Sequence, residues 1–278
     1  MLTEEDKYRF YEAAVQSPDF DIDFFDDYFS KVRNRLPKSF REDFGGTGLN
    51  SKEFVSRRKD NVAYVVDLDP SPLKYGREHH LTALPKKDQE RLHYVEQNVL
   101  KDHPKSYPAF DVVAALNFSY FIFKERETLK SYFKKVFKSL SSDGLFFLDI
   151  FGGSQCQGPI EDVNDRGEFL YYWDCDEFNP ITHDCVYKIH FRPKGQKRKI
   201  KDVFVYNWRH WTIPEVMDVL KEAGFKHMQI LWEGDDEDGG GNGEFCPTWE
   251  IENCDAWVSY IVASKADLPG PQNQRMLQ

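Results

Sequence analysis

Glu42-Asp43-Phe44-Gly45-Gly46-Thr47-Gly48 is the stretch that decides the fold of this chain. A short run able to form a strand precedes it, and residues 49–58 read as a helix after it. Glycines at a strand-to-helix turn lack a Cβ and tolerate positive φ, so the backbone there can approach a ligand closely. One βα unit further on, Ala63-Tyr64-Val65-Val66-Asp67 reads as a buried strand ending in a carboxylate. An acid at that place can accept from both hydroxyls of a ribose. Together the two signals predict a nucleoside-containing cofactor held over the ends of a parallel sheet.

The dinucleotide pattern G-x-G-x-x-G is not met, because Ser51 stands at the third glycine and Phe44 where another glycine is expected. A phosphate-binding loop of the G-x-x-x-x-G-K-[ST] type is also missing. The chain instead resembles the class I S-adenosylmethionine-dependent methyltransferases. Glu42 matches the acid of their first motif, and Gly46-Thr47-Gly48 match the end of its G-x-G-T-G turn. Val65-Val66-Asp67-Leu68-Asp69-Pro70 matches their second motif, a strand ending in an acid before a Pro-containing helix start, here residues 71–83.

What the resemblance implies is specific. The fold is α/β, a doubly wound, seven-stranded, mostly parallel sheet whose last strand, residues 257–263, runs antiparallel. The cofactor is S-adenosyl-L-methionine. Arg41, Glu42, Gly45, Gly46 and Gly48 contact it at the turn, Asp67 and Leu68 at the second strand, and Asn98 and Val99 in the adenine loop. Asn117 and Phe118 meet it after the fourth strand, and Tyr11 and Gln16 close over it from the N-terminal segment. The competing reading for Tyr8 and Tyr11 is plain packing of a helix on the core.

Downstream patterning fits this order. Residues 92–96 read as a third strand, and Phe110-Asp111-Val112-Val113-Ala114-Ala115-Leu116 as a fourth, buried on both faces. Residues 125–140 form an amphipathic helix, 141–144 a turn and 145–150 a fifth strand. Thr212 is an N-cap with Pro214 in the first turn of a helix ending at Ala223-Gly224-Phe225, and 226–232 read as another strand.

Two regions stand outside this plan. At the N-terminus, residues 8–15 and 24–36 read as helices, with Ser17-Pro18-Asp19-Phe20-Asp21 between them. After the fifth strand comes an insert, in which residues 169–174, 185–191 and 201–208 read as three antiparallel strands. The expected organisation is a helical lid at 1–38, a cofactor-binding core at 39–151 and 211–265, an antiparallel β cap at 152–210 and a flexible tail at 266–278. The cap leaves and rejoins the core on the ligand side, so it is expected to roof a small enclosed pocket. The basic cluster from Arg192 to Lys201 reads as a solvated hairpin tip, and the acidic, glycine-rich 233–243 stretch as a loop without calcium-loop spacing.

The 278 residues are 40% hydrophobic, enough for an ample core, and carry a formal net charge of −10. That balance argues against nucleic acid as a partner, because a phosphate backbone needs clustered cations. The five cysteines form no C-x-x-C pair and read as reduced thiols, and no metal site is expected. No apolar run approaches bilayer length, so the expectation is a soluble, cytoplasmic protein without a membrane partner. The expected acceptor is a small molecule, with an amine favoured by the insert's aromatics and the acidic charge. His210 and Tyr120 are the candidate catalytic groups, and Tyr172, Trp173, Tyr206 and Trp208 further candidates for acceptor contact. A protein methyltransferase, a non-catalytic nucleoside-binding subunit and a nicotinamide-dependent oxidoreductase are the alternatives. Oligomeric state is not legible.

Overall fold

The computed structural model describes residues 2–236 and 240–270. Residues 237–239 of the acidic stretch and 271–278 of the expected tail lie outside the described residues. Strands β1 (Ser39–Asp43), β2 (Val62–Asp67), β3 (Leu92–Glu96), β4 (Phe110–Ala115) and β5 (Leu140–Gly152) form the parallel part of the main sheet. Every residue of β4 is buried, as befits a parallel strand covered on both faces. Strands β6 (Ile160–Asp165), β7 (Phe169–Phe178), β8 (Asp184–Pro193) and β9 (Ile200–Arg209) make a separate antiparallel sheet. Strands β10 (His227–Asp235), β11 (Gly241–Pro247) and β12 (Trp257–Ser264) return to the main sheet, whose order is β11-β10-β12-β5-β4-β1-β2-β3. As expected, β12 is antiparallel to both neighbours, β10 and β5.

Helices α1 (Glu4–Val15), α2 (Pro18–Arg33), α3 (Leu49–Arg57), α4 (Pro70–Gly76), the single turn α5 (Lys86–Gln89), α6 (Arg126–Ser139) and α7 (Ile213–Ala223) complete the chain. Local chemistry accounts for their ends. Thr212 and Glu215 close a reciprocal capping box on α7, and Gly224 ends it at φ 116°. Apolar clusters cover both faces of the main sheet: α6 and α7 on one side, α2 and α3 on the other. No helix of the described residues is long and apolar enough to cross a membrane.

Four differences from the sequence reading have physical causes. The sheet has an eighth strand, because β11 folds back on β10 where a loop was expected. Residues 141–144 continue β5 instead of turning. Gly144 lies so close to the β4 backbone that a Cβ would stand 2.6 Å from the Phe110 carbonyl oxygen. Residues 18–21 belong to α2, since Pro18 at its first position supplies a helix-ready φ. The cap has four strands, the mostly exposed β6 having escaped notice because its side chains do not alternate in polarity.

Candidate functional site

The glycine turn follows β1, whose Arg41 and Asp43 face one side and Glu42 the other. Glu42 is buried and accepts from the Ser51 backbone N–H at 3.2 Å and its hydroxyl at 2.6 Å. Burial pushes its carboxyl up to about 8, and the nearby Asp21 and Asp67 add to the rise. The three glycines do different work. At Gly45 and Gly48 a Cβ would strike Val65 at 2.7 and 2.6 Å, so both are needed for the turn to pack on β2. Gly46, at φ +55°, has nothing within 4 Å of where a Cβ would stand, and its amide points to the end of β2.

There Asp67 accepts from the Gly46 N–H at 2.9 Å and the Asp69 N–H at 2.8 Å. Burial raises its pKa against the lowering by those amides. Leu68 beside it is 63% exposed, an apolar side chain standing in solvent. Asn98 turns the loop after β3 by accepting from the Leu100 N–H at 2.9 Å, and Val99 is buried behind it. Across the sheet, Asn117 and Phe118 take consecutive left-handed conformations, φ 55° and 57°. Such strain in two non-glycine residues persists only where the surroundings enforce it. Here Asp149 enforces it, accepting from the Asn117 N–H at 2.6 Å and the Phe118 N–H at 2.8 Å.

The N-terminal helices close this edge. Glu12 of α1 accepts from the Thr47 hydroxyl at 2.5 Å and bonds His80 Nε2 at 2.6 Å, so α1 is fastened to the glycine turn. On its other side Phe10 stacks on Phe169 of the cap at 4.2 Å. Tyr11 lies within electrostatic reach of both Asp67 and Asp149, and burial raises its pKa. The Gln16 side-chain oxygen is buried without a hydrogen-bond partner.

Between these helices, the strand ends and the cap lies a cavity of about 460 Å³. Its floor includes Asp149, Asn117 and Phe118; α1, α2 and their joint contribute Tyr11, Ser17 and Asp21; the cap contributes Tyr171, Trp173, Tyr206 and Trp208. The cap aromatics pack on one another, Tyr206 on Trp208 at 4.5 Å between ring centres. The cavity is covered but not sealed: Phe20, Asp162, Asn164, Arg166 and Val258 line it and are exposed, forming a mouth. Arg166 is the one Lys or Arg among the residues lining it, and one of its nitrogens is engaged by the Ala14 carbonyl at 2.8 Å.

The structure thus brings Tyr11, Asn117 and Phe118 to the cavity, and Gly46, Asp67 and Leu68 to the adjoining strand ends. Other expected residues go elsewhere. Arg41 pairs inside the core with Asp43 at 2.8 Å, and Tyr132 donates to that carboxylate at 2.9 Å, so its charge is spent away from the cavity. His210 does not line the cavity. It is boxed by Phe121, Phe151 and Phe178, and burial lowers its pKa, leaving a neutral imidazole in apolar surroundings. Tyr120 is fully buried behind the floor, its hydroxyl without a partner. Tyr172 points to the far face of the cap, where Lys199 lies over its ring. Phe44, at φ 56°, turns its ring onto Phe123 and Tyr132 and does not line the cavity.

Sequence reading missed Asp21 and Asp149. Burial pushes them up to about 6 and about 7, and Asp21 adds to the rise of Asp149. Asp149 has one sequence signal, an acid within an otherwise apolar run, Phe147-Leu148-Asp149-Ile150; Asp21, among Asp19, Asp23, Asp26 and Asp27, has none. On the outer cap face, Glu161, Asp174 and His190 converge. His190 Nδ1 accepts from the Asp202 N–H at 2.8 Å, which leaves Nε2 protonated and donating to Asp174 at 3.0 Å. A protonated ring nitrogen has no lone pair for a metal, so this group is a hydrogen-bonded one.

No protein-family model matches the sequence, and no curated protein matches it. Solved structures do match. An S-adenosylmethionine-dependent methyltransferase from Clostridium acetobutylicum aligns over 90% of this chain and 91% of its own, at TM-score 0.61 and 18% identity. CalS10, an amino pentose methyltransferase from Micromonospora echinaspora, aligns over 93% and 96%, at TM-score 0.63 and 14% identity. The sugar N-methyltransferase KedS8 from Streptoalloteichus aligns over 92% and 91%, at TM-score 0.59 and 14% identity. Likeness at such identities carries the fold. The chain adopts the Rossmann-like fold of the class I S-adenosylmethionine-dependent methyltransferases.

Proposed function

We propose that this protein is an S-adenosylmethionine-dependent methyltransferase acting on a small-molecule acceptor, an amine, by in-line transfer in the cavity under the cap. The observation that carries the reading is the cavity itself. Buried carboxylates Asp21 and Asp149 and a wall of Trp173, Tyr206 and Trp208 face one space beside the glycine turn. Carboxylates and aromatic faces both favour a cation, and 460 Å³ suits a metabolite-sized ligand rather than a folded macromolecule. The amino pentose and sugar N-methyltransferases of the same fold support an acceptor of this size.

The residues present fit the donor. Gly46 leaves open the space a side chain would fill, Leu68 offers an apolar surface for a base, and Gln16 holds a buried acceptor without a partner. Asp67 would take the ribose hydroxyls, with Asn98 and Val99 at the base. The donor's sulfonium supplies an already activated methyl group. The chain's part is then to orient the acceptor, exclude water through α1 and the cap, and accept a proton where the nucleophile arrives protonated.

Calorimetric titration with S-adenosylhomocysteine and NAD tests the donor: binding of the first and not the second is expected, and the reverse overturns the reading in favour of an oxidoreductase. Incubation with methyl-labelled donor and a fractionated cell extract tests the acceptor. Label is expected in the small-molecule fraction; label confined to protein would transfer the assignment to a protein methyltransferase.

A further inference from the structure

We infer that Asp149 is the proton acceptor of the reaction, and that the acceptor amine reaches the cavity as its ammonium ion, held between Asp149 and the cap aromatics. The inference rests on the function proposed above and adds to it the charge state of the substrate and the group that changes it.

The argument begins with geometry. Asp149 is near the carboxyl end of β5, lines the cavity and is buried. Each oxygen accepts one backbone N–H, from Asn117 and Phe118, which fixes the plane of the carboxylate. Those amides can aim at Asp149 because residues 117 and 118 hold left-handed backbones, so strain is spent on presenting this one side chain. Asp149 has no cation among its hydrogen-bond partners, and the groups that face it are acids and phenols: Asp21 from α2, Tyr11 from α1, Tyr120 from the turn after β4 and Tyr260 from β12. An independent mark is Tyr120, fully buried in electrostatic reach of Asp149 with a hydroxyl that has no partner. A buried acid without a counter-ion, in a cavity walled by Trp173, Tyr206 and Trp208, is complementary to a cation that enters.

An ammonium cannot attack, because its lone pair is in the N–H bond. When that bond breaks, the proton passes to an Asp149 oxygen and the pair stays on nitrogen. The nitrogen then forms a bond to the methyl carbon, and the carbon–sulfur pair remains on sulfur as a neutral thioether. The proton leaves from Asp149 to solvent through the mouth. Burial poises the acid near neutral pH, where such transfer is efficient in both directions. His210, the base expected from the sequence, is walled off by Phe121 and Phe151.

The test needs no acceptor. Sinefungin carries an ammonium where the donor carries its sulfonium methyl; S-adenosylhomocysteine carries neither charge. Calorimetry on the whole protein at about pH 8 should show sinefungin bound roughly tenfold more tightly, about 1.4 kcal/mol. In Asp149→Asn the ratio of the two affinities should fall to near unity, whatever the substitution does to both ligands alike through the Asn117 and Phe118 amides it can no longer accept in full. A preference that survives the substitution overturns the inference but leaves the donor reading intact. Failure of the wild type to bind either ligand overturns both. Should Asp149→Asn not fold, the wild type still decides. Titrations near pH 6 in buffers of different ionisation enthalpy should show about one more proton released on binding sinefungin than on binding S-adenosylhomocysteine. Equal release overturns the inference.

Discussion

At the scale of single residues, the proposed donor site makes Asp67 the side chain on which donor affinity should turn. It offers two oxygens at the end of β2, and charge-assisted hydrogen bonds of this kind contribute roughly 1.5–3 kcal/mol each. Asp67→Ala is expected to weaken S-adenosylhomocysteine binding at least tenfold, by calorimetry, with the circular dichroism spectrum unchanged. Phe44 makes the opposite case. Its ring packs on Phe123 and Tyr132 at 5.8 and 5.5 Å, away from the cavity, while its backbone sits at φ 56°. Phe44→Gly relieves about 1 kcal/mol of backbone strain and forfeits a larger packing term. Chemical denaturation should show a net loss of about 1–3 kcal/mol, with donor affinity within threefold of the wild type. A large loss of affinity in a stable variant would place the ring in the binding site after all.

At the scale of elements, α1 is the piece that joins cap to core. It stacks Phe10 on Phe169 of the cap and sets Glu12 between Thr47 and His80 of the core. Such a helix can open only by breaking the Glu12 contacts, so the proposed function gives it the role of a gate to be tested. Glu12→Ala should speed dissociation of S-adenosylhomocysteine about tenfold in stopped-flow, with much less effect on the melting temperature, since the main core does not depend on this contact. Unchanged dissociation would mean that α1 does not gate. The cap illustrates how alternation along a strand assigns work. On β7, Tyr171 and Trp173 face the cavity and Tyr172 faces out, so adjacent aromatics have unrelated roles.

For the whole molecule, four acids gather at the carboxyl edge of the sheet: the half-buried Asp67 and the buried Glu42, Asp149 and, from α2, Asp21. Their folded-state pKa values are raised, to about 6 for Asp21, about 7 for Asp149 and about 8 for Glu42, all chiefly by burial. An unfolded carboxyl titrates near 4. Between those limits the folded state holds more protons than the unfolded one, so stability falls as pH rises. Below about 6.5 the lowered histidines His93, His103 and His210 act in the opposite sense. The clear window is therefore about pH 6.5 to 8, where the melting temperature of the free protein should decline. Glu42→Gln should flatten that decline; an unchanged slope would remove Glu42 from the account.

The sequence by itself determined most of the sheet, and the glycine turn and the acid that stand at the ends of β1 and β2. Strand β3 lies at 92–96 as read, β12 is antiparallel, and the turn from Glu42 to Gly48 joins β1 to α3. These were legible because they rest on local physics: apolar runs, the backbone freedom of glycine, an acid closing a strand. Only the tertiary structure decided which residues line the cavity. Asp21 and Asp149 are far apart in sequence and mean nothing singly; α2 and β5 bring them to one cavity. His210 reads as a base, yet it lies among three phenylalanines, outside the lining of the cavity. Tyr120 reads as a strand-end ligand, yet the turn carries it beneath the floor. Desolvation, counter-ion and cavity are properties of what surrounds a side chain, and no local pattern encodes those surroundings.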